Sequence, residues 1–220
     1  GDINAEVNWE QLRSFVKAHA HDPYKDWSVT ERNSDELFEI INGPDSPAFC
    51  RMMERILCDG NWAGAEASTK ETGVSAEESE PWIVLVTGLN GIRKSTSVYQ
   101  DWWTEALSCA LGNTYTGPLN GLPSGQNSFF RQLDYMIPVL AHEDLRLLYQ
   151  ANKNVEDYSS HKDAIFARYR SLAEMVGIGL VKQAKKRRMN VMVETSGNFR
   201  IFYFFSILFS KRNLTNRERH

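Results

Sequence analysis

The sequence predicts an α/β protein, a three-layer arrangement of a parallel sheet between helices, preceded by a helical N-terminal extension. Three observations predict it. Trp82-Ile83-Val84-Leu85-Val86 and Asn190-Val191-Met192-Val193 are short apolar runs rich in β-branched residues, the pattern of strands buried on both faces of a parallel sheet. Between them, Asp163 to Arg188 carries apolar residues at helical spacing. Residues 1–72 show helical periodicity and no strand pattern.

Composition narrows the classes of function. The chain has 220 residues, 42% hydrophobic and 24% charged, which excludes global disorder and collagen-like structure. At about 150 residues per domain, this length predicts one domain plus an extension, or two small domains. The predicted division is a helical extension over 1–72, an acidic linker over 73–81, a core over 82–199, and a tail of atypical composition over 200–220. Lys and Arg number 25 against 28 Asp and Glu, a formal charge of −3. That balance argues against nucleic acid as a partner but permits a small anion held by local residues.

Cys50, Cys58 and Cys109 are odd in number and lack metal-ligand spacing, so a reducing, cytoplasmic compartment is expected. The Asn213-Leu214-Thr215 sequon is read as chance. No leader pattern opens the chain, and Ile201 to Ser210 falls far short of the roughly 20 residues that span a bilayer. The first residue is Gly1, not Met, which reads as a fragment or a processed product.

The elements follow in order. Trp9, Leu12, Phe15 and Val16 share one helix face. Asn33 with Glu36 has the form of a capping box ahead of Leu37, Phe38, Ile40 and Ile41, and Gly43-Pro44 stops that helix. Ser46-Pro47 starts another, with Phe49, Met52, Met53, Ile56 and Leu57 as its apolar face and Gly60 at its end. Lys70 to Glu80 is polar and acidic, hence loop or linker. After the first strand, a helix is expected with Tyr99, Trp102, Trp103, Ala106, Leu107 and Ala110 on its faces. Residues 112–128, rich in Gly, Pro, Asn and Ser, read as loop, and Phe129 to Leu148 as a helix interrupted by Pro138. The stripe Ile165, Tyr169, Leu172, Val176, Leu180 and Ala184 defines the long helix, whose basic last turns suit the negative end of its dipole.

The chemistry sits where the first strand ends. A phosphate-binding loop needs glycines so that backbone N–H groups can wrap a phosphate. It needs a lysine for the outer phosphates, and a Ser or Thr hydroxyl for magnesium. The stretch Gly88-Leu89-Asn90-Gly91-Ile92-Arg93-Lys94-Ser95-Thr96 supplies Gly88, Lys94 and Ser95 at the required spacing. Arg93 stands where the second consensus glycine belongs, where it either crowds the phosphate or adds a cation to it. Glu194 ends the second strand, the edge at which open α/β sheets bind ligands, and Thr195 and Ser196 follow it.

Gly88-x-x-Gly91-x-x-Lys94-Ser95-Thr96 followed, after a long helix, by Arg188-Met189-Asn190-Val191-Met192-Val193-Glu194-Thr195-Ser196-Gly197 resembles the P-loop kinases of the zeta-toxin type. Thr195 departs from that family's pattern, which has glycine after the glutamate. The resemblance spans about residues 82–197 and rests on two short motifs. It implies a P-loop NTPase-like fold of the nucleoside-monophosphate-kinase kind. It implies magnesium-ATP on residues 88–96, with Lys94 on the phosphates and Ser95 as the metal ligand, and Glu194 toward the phosphate acceptor. The family's catalytic base falls after its second strand; Asp134 is the match, with Asp101 and Asp144 as weaker rivals. Arg131 is left with two readings, a partner for acceptor phosphate or for Asp134.

Two classes of function stay open. One is an ATP-dependent kinase acting on a hydroxyl of a small molecule or sugar nucleotide. The other is a nucleotide-binding or interaction protein without turnover, or a truncated inactive form. The family carries an arginine-bearing lid after the glutamate strand, but here Ile201 to Phe209 is apolar on every side, and Lys211 to His220 is basic and polar. That composition reads as foreign to the fold, with a buried strand over Ile201 to Phe209 as the alternative.

Overall fold

The computed structural model describes residues 7–23, 26–71, 81–88, 94–151 and 154–195. Three strands, β1 (Ile83–Thr87), β2 (Ser128–Arg131) and β3 (Asn190–Thr195), form one sheet in the order β1-β3-β2. Both pairings are parallel, with Val86 opposite Glu194 and Phe130 opposite Met192. The chain is therefore α/β with a small parallel sheet. Side chains alternate between faces. Ile83, Leu85, Phe129, Val191 and Val193 join the main core, while Val84, Val86, Phe130 and Met192 meet Val98 and Trp103 on the opposite face. Ile83 to Leu85 are half-buried rather than buried, because β1 has a strand partner on one side only among the described residues.

Five helices precede the sheet: α1 (Trp9–His19), α2 (Trp27–Ile40), α3 (Pro47–Met52), α4 (Glu54–Asp59) and α5 (Trp62–Glu71). Their apolar faces enter the same cluster as β2 and β3, through Phe15, Leu37, Phe38, Phe49, Ile56 and Trp62. Two details correct the sequence reading. Asn33 does not cap α2; Asp26 does, accepting from the N–H groups of Ser28 and Val29. Asn33 is instead buried mid-helix, donating to Asp22 at 2.7 Å. The stretch from Pro47 to Gly60 is two short helices that break at Met53, capped at the start by Ser46. The helix α2 ends as expected, with Asn42 at φ 59° and Gly43 at φ 62° turning the chain.

After β1 the chain forms α6 (Lys94–Ser97), a single turn, and then α7 (Trp102–Leu111). The one helix expected here is thus two. Val98, between them, is fully buried against the sheet, whereas α7 has no buried residue. The stretch Phe129 to Leu148, read as helix, opens as β2. Its Phe129 packs edge-on to Trp62 at 5.1 Å, and the Phe130 N–H donates to Gly60 O at 2.9 Å. Two helices follow, α8 (Leu133–Leu140), which contains Pro138, and α9 (His142–Ala151).

The helix α10 (Val155–Lys186) is longer than Asp163 to Arg188 at its start. Asn154 caps it and Glu156 and Asp157 fill its first turn, so the added turns rest on capping and charge rather than on an apolar stripe. Its end is a Schellman turn: Arg188 lies at φ 59°, its N–H donates to Lys185 O, and the Met189 N–H donates to Ala184 O. That turn aims the chain straight into β3. Lys182 pairs with Glu31 at 3.0 Å and Asp35 at 2.8 Å, and Arg187 pairs with Glu66 at 2.7 Å and with Asp45. These contacts hold the N-terminal helices along α10. Among the described residues, no helix is long and apolar enough to cross a membrane.

Candidate functional site

The carboxyl edge of the sheet gathers several of the residues singled out in the sequence. Gly88 leaves β1 at φ 145°, backbone that side-chain-bearing residues rarely adopt. On the next strand Glu194 is the register partner of Val86, and Thr195 of Thr87. Arg131 pairs with Val193, so the chain leaving β2 passes Glu194 at Gln132. Asp134 then stands exposed in the first turn of α8. Gly88, Glu194 and Asp134 therefore share one edge, the edge at which parallel sheets take ligands.

Face as well as edge is set. Alternation places Glu194 on the side of Met192 and Val86, the side that Val98 covers. The segment that starts at Lys94 folds back over this same side. Ser95 is half-buried and Thr96 exposed in α6. Glu194 is half-buried at the strand end. Leu89, Asn90, Gly91, Ile92 and Arg93, and likewise Ser196, lie outside the described residues.

Arg131 takes neither of the two roles expected for it. It is 1% exposed and forms an ion pair with Glu174 of α10, itself almost wholly buried. Arg170 approaches the same carboxylate at 3.2 Å. Gly177 makes room, because a Cβ there would run into the Arg131 guanidinium. Arg131 thus fixes the end of β2 to α10 and presents no charge to a ligand. Asp101, at the start of α7, is exposed, and Asp144 is occupied by the Tyr169 hydroxyl at 3.1 Å and by Arg168 at 3.6 Å, away from this edge.

One acid at this end of the sheet carries no signal in the sequence. Asp59 ends α4 and lines a cavity of about 10 Å³ with Gln132 and Tyr135. Its Oδ2 is buried without a hydrogen bond, with Arg55 Nε at 3.6 Å. Burial first, and the Asp59 charge second, push the Tyr99 phenol above 10.0. Asp59 therefore stands close to the turn that follows α6. Only its proximity in space, across a sequence separation of 69 residues from Asp59 to Ser128 at the start of β2, brings it here; a helix-ending Asp before Gly60 reads as a solvated residue.

No family model, curated protein or solved structure matches the chain.

Proposed function

We propose that the chain is a P-loop phosphotransferase of the zeta-toxin-like kind, binding magnesium-ATP and phosphorylating a hydroxyl of a small molecule or sugar nucleotide. The observation that carries this reading is the register of β1 and β3. It sets Glu194 beside the strand that runs into Gly88, on the side from which the Lys94-Ser95-Thr96 segment returns. A glycine at φ 145° directly after a strand suits a loop whose backbone turns around a phosphate.

In this reading Lys94 supplies charge to the outer phosphates, and residues 88–96 are the loop that binds the nucleotide. The Ser95 hydroxyl is a hard oxygen donor of the type magnesium prefers, and it would hold the ion; bound there, magnesium neutralises phosphate oxygens. Glu194 orients the acceptor. Asp134, exposed at the same edge, accepts the proton of the acceptor hydroxyl as that oxygen bonds to the γ-phosphorus and the bond from this phosphorus to the β–γ bridging oxygen breaks, releasing ADP. Catalysis is mostly positioning and charge stabilisation. The partners are a nucleotide and a small hydroxyl-bearing acceptor, and the compartment is the cytoplasm.

Transfer of label from [γ-³²P]ATP to a panel of nucleosides, sugars and sugar nucleotides tests the activity. A labelled acceptor, lost in Asp134→Asn and Glu194→Gln variants that still bind nucleotide, supports it. Labelled product in both variants at the parental rate contradicts it. The burial of Arg131 favours a second reading, nucleotide binding without turnover, because it removes one cation that could have stabilised charge on the transferred group. Binding of ATP with no labelled product from any acceptor marks that case.

A further inference from the structure

We propose that the cleft between α1 and α10 is a binding site for a short branched aliphatic carboxylate. This site shares no residue with the sheet edge and does not rest on the phosphotransferase reading. Its cavity is about 80 Å³, floored by Phe15, Val16, Leu172 and Met175. That space has room for a branched alkyl group of a few carbons. An apolar floor of this kind gains by burying alkyl surface.

The rim selects an anion. Lys17, His19 and Arg168 border the cavity. Both acids near the rim are already engaged. Asp22 accepts from His19 Nδ1 at 2.6 Å and from Asn33 at 2.7 Å, and Asp144 accepts from Tyr169 at 3.1 Å beside Arg168 at 3.6 Å. Lys17 has no ion-pair partner among the described residues, and its ammonium is the cation left over for a ligand carboxylate. His19 Nδ1 is committed to Asp22, so only Nε2 remains for a ligand. The rim is tied to α10 and to α1, since Ser171 donates to Asp22 O at 2.8 Å and the Phe15 and His19 rings pack at 4.6 Å. An alkyl tail in the floor and a carboxylate on Lys17 satisfy both parts of the cleft at once.

The test is titration of the full chain with 3-methylbutanoate, followed by NMR shifts, with 3-methylbutanamide as the uncharged isostere. The expected result is saturable binding of the acid, with the amide about tenfold weaker because it lacks the charge-assisted contact. Leu172→Phe, which fills the floor, abolishes binding, and Lys17→Gln lowers affinity for the acid about tenfold while leaving the amide unchanged. Circular dichroism checks that both variants are folded; if Leu172→Phe is not, Leu172→Met serves, with a partial loss expected. Absence of saturable acid binding, equal binding of acid and amide, or binding unaffected by both substitutions overturns the proposal.

Discussion

Arg131, the last residue of β2, and Glu174, midway along α10, form an ion pair whose two side chains are 1% and 2% exposed. A buried pair of this kind is costly to break from one side, because the remaining charge has no water and no partner. Arg131 Nε already lacks a hydrogen bond, so the arginine has little further tolerance. Glu174→Ala is expected to destabilise the fold by about 3–5 kcal/mol in urea unfolding. The double variant Arg131→Met, Glu174→Leu removes both charges and should recover most of that loss, with Arg170, one-third exposed, turning to solvent. A single variant as stable as the parent would show that the pair is not the anchor of β2.

The close approach of α2 to α10 gives a second test. A Cβ on Gly179 would collide with the ring of Phe38, which is itself packed on Phe49 at 5.3 Å. Gly179→Ala should cost about 1–3 kcal/mol as overpacking, against the usual gain of alanine over glycine within a helix. Pairing it with Phe38→Leu should return part of the loss. A Gly179→Ala protein with a raised thermal midpoint would mean that the two helices are not in contact there.

What the residues announced and what they hid follow from range. β1 and β3 were legible because an unbroken apolar run flanked by Pro81 or Arg188 has few other readings. The stripe from Ile165 to Ala184 was legible for the same local reason. Ser128-Phe129-Phe130-Arg131 was not, since four residues before a helical stretch do not show a period, and its strand character comes from pairing with β3 and from Gly60 O. Asn33 three residues before Glu36 has the grammar of a cap, yet burial against Asp22 overrides it. Of the candidate site, Gly88 and Glu194 could be found from their strand ends. The partner of Arg131, 43 residues away, and the approach of Asp59 depend on packing that no local pattern encodes.

Asp26 offers a pH test with a definite sign. Hydrogen bonds from the Ser28 side chain and the Val29 N–H hold its carboxyl below the ordinary 3.8. A group whose folded value is depressed contributes stability above its unfolded value and loses it as pH falls through the folded one. The cap therefore contributes fully above the ordinary value of 3.8 and is lost as pH falls further, through the depressed folded value. Thermal midpoints measured from pH 7 down to pH 2 should fall less steeply in Asp26→Asn, which caps without a titrating group. Parallel curves for the two proteins would contradict the assignment.

Arg93 occupies the place of a consensus glycine in the proposed phosphate loop. On the phosphate-loop reading, Arg93→Gly restores the consensus glycine and should leave ATP affinity equal or higher, as read by calorimetry. A clear loss would make Arg93 a phosphate ligand in its own right.

The central claim is that the loop between β1 and α6 holds the phosphates of ATP, and Lys94 tests it most directly. Calorimetric titration of magnesium-ATP into the parent and into Lys94→Ala is expected to show binding in the parent and a loss of about 1.5–3 kcal/mol in the variant, roughly tenfold to a hundredfold in affinity. No binding by the parent, or equal affinity in the two folded proteins, would contradict the account.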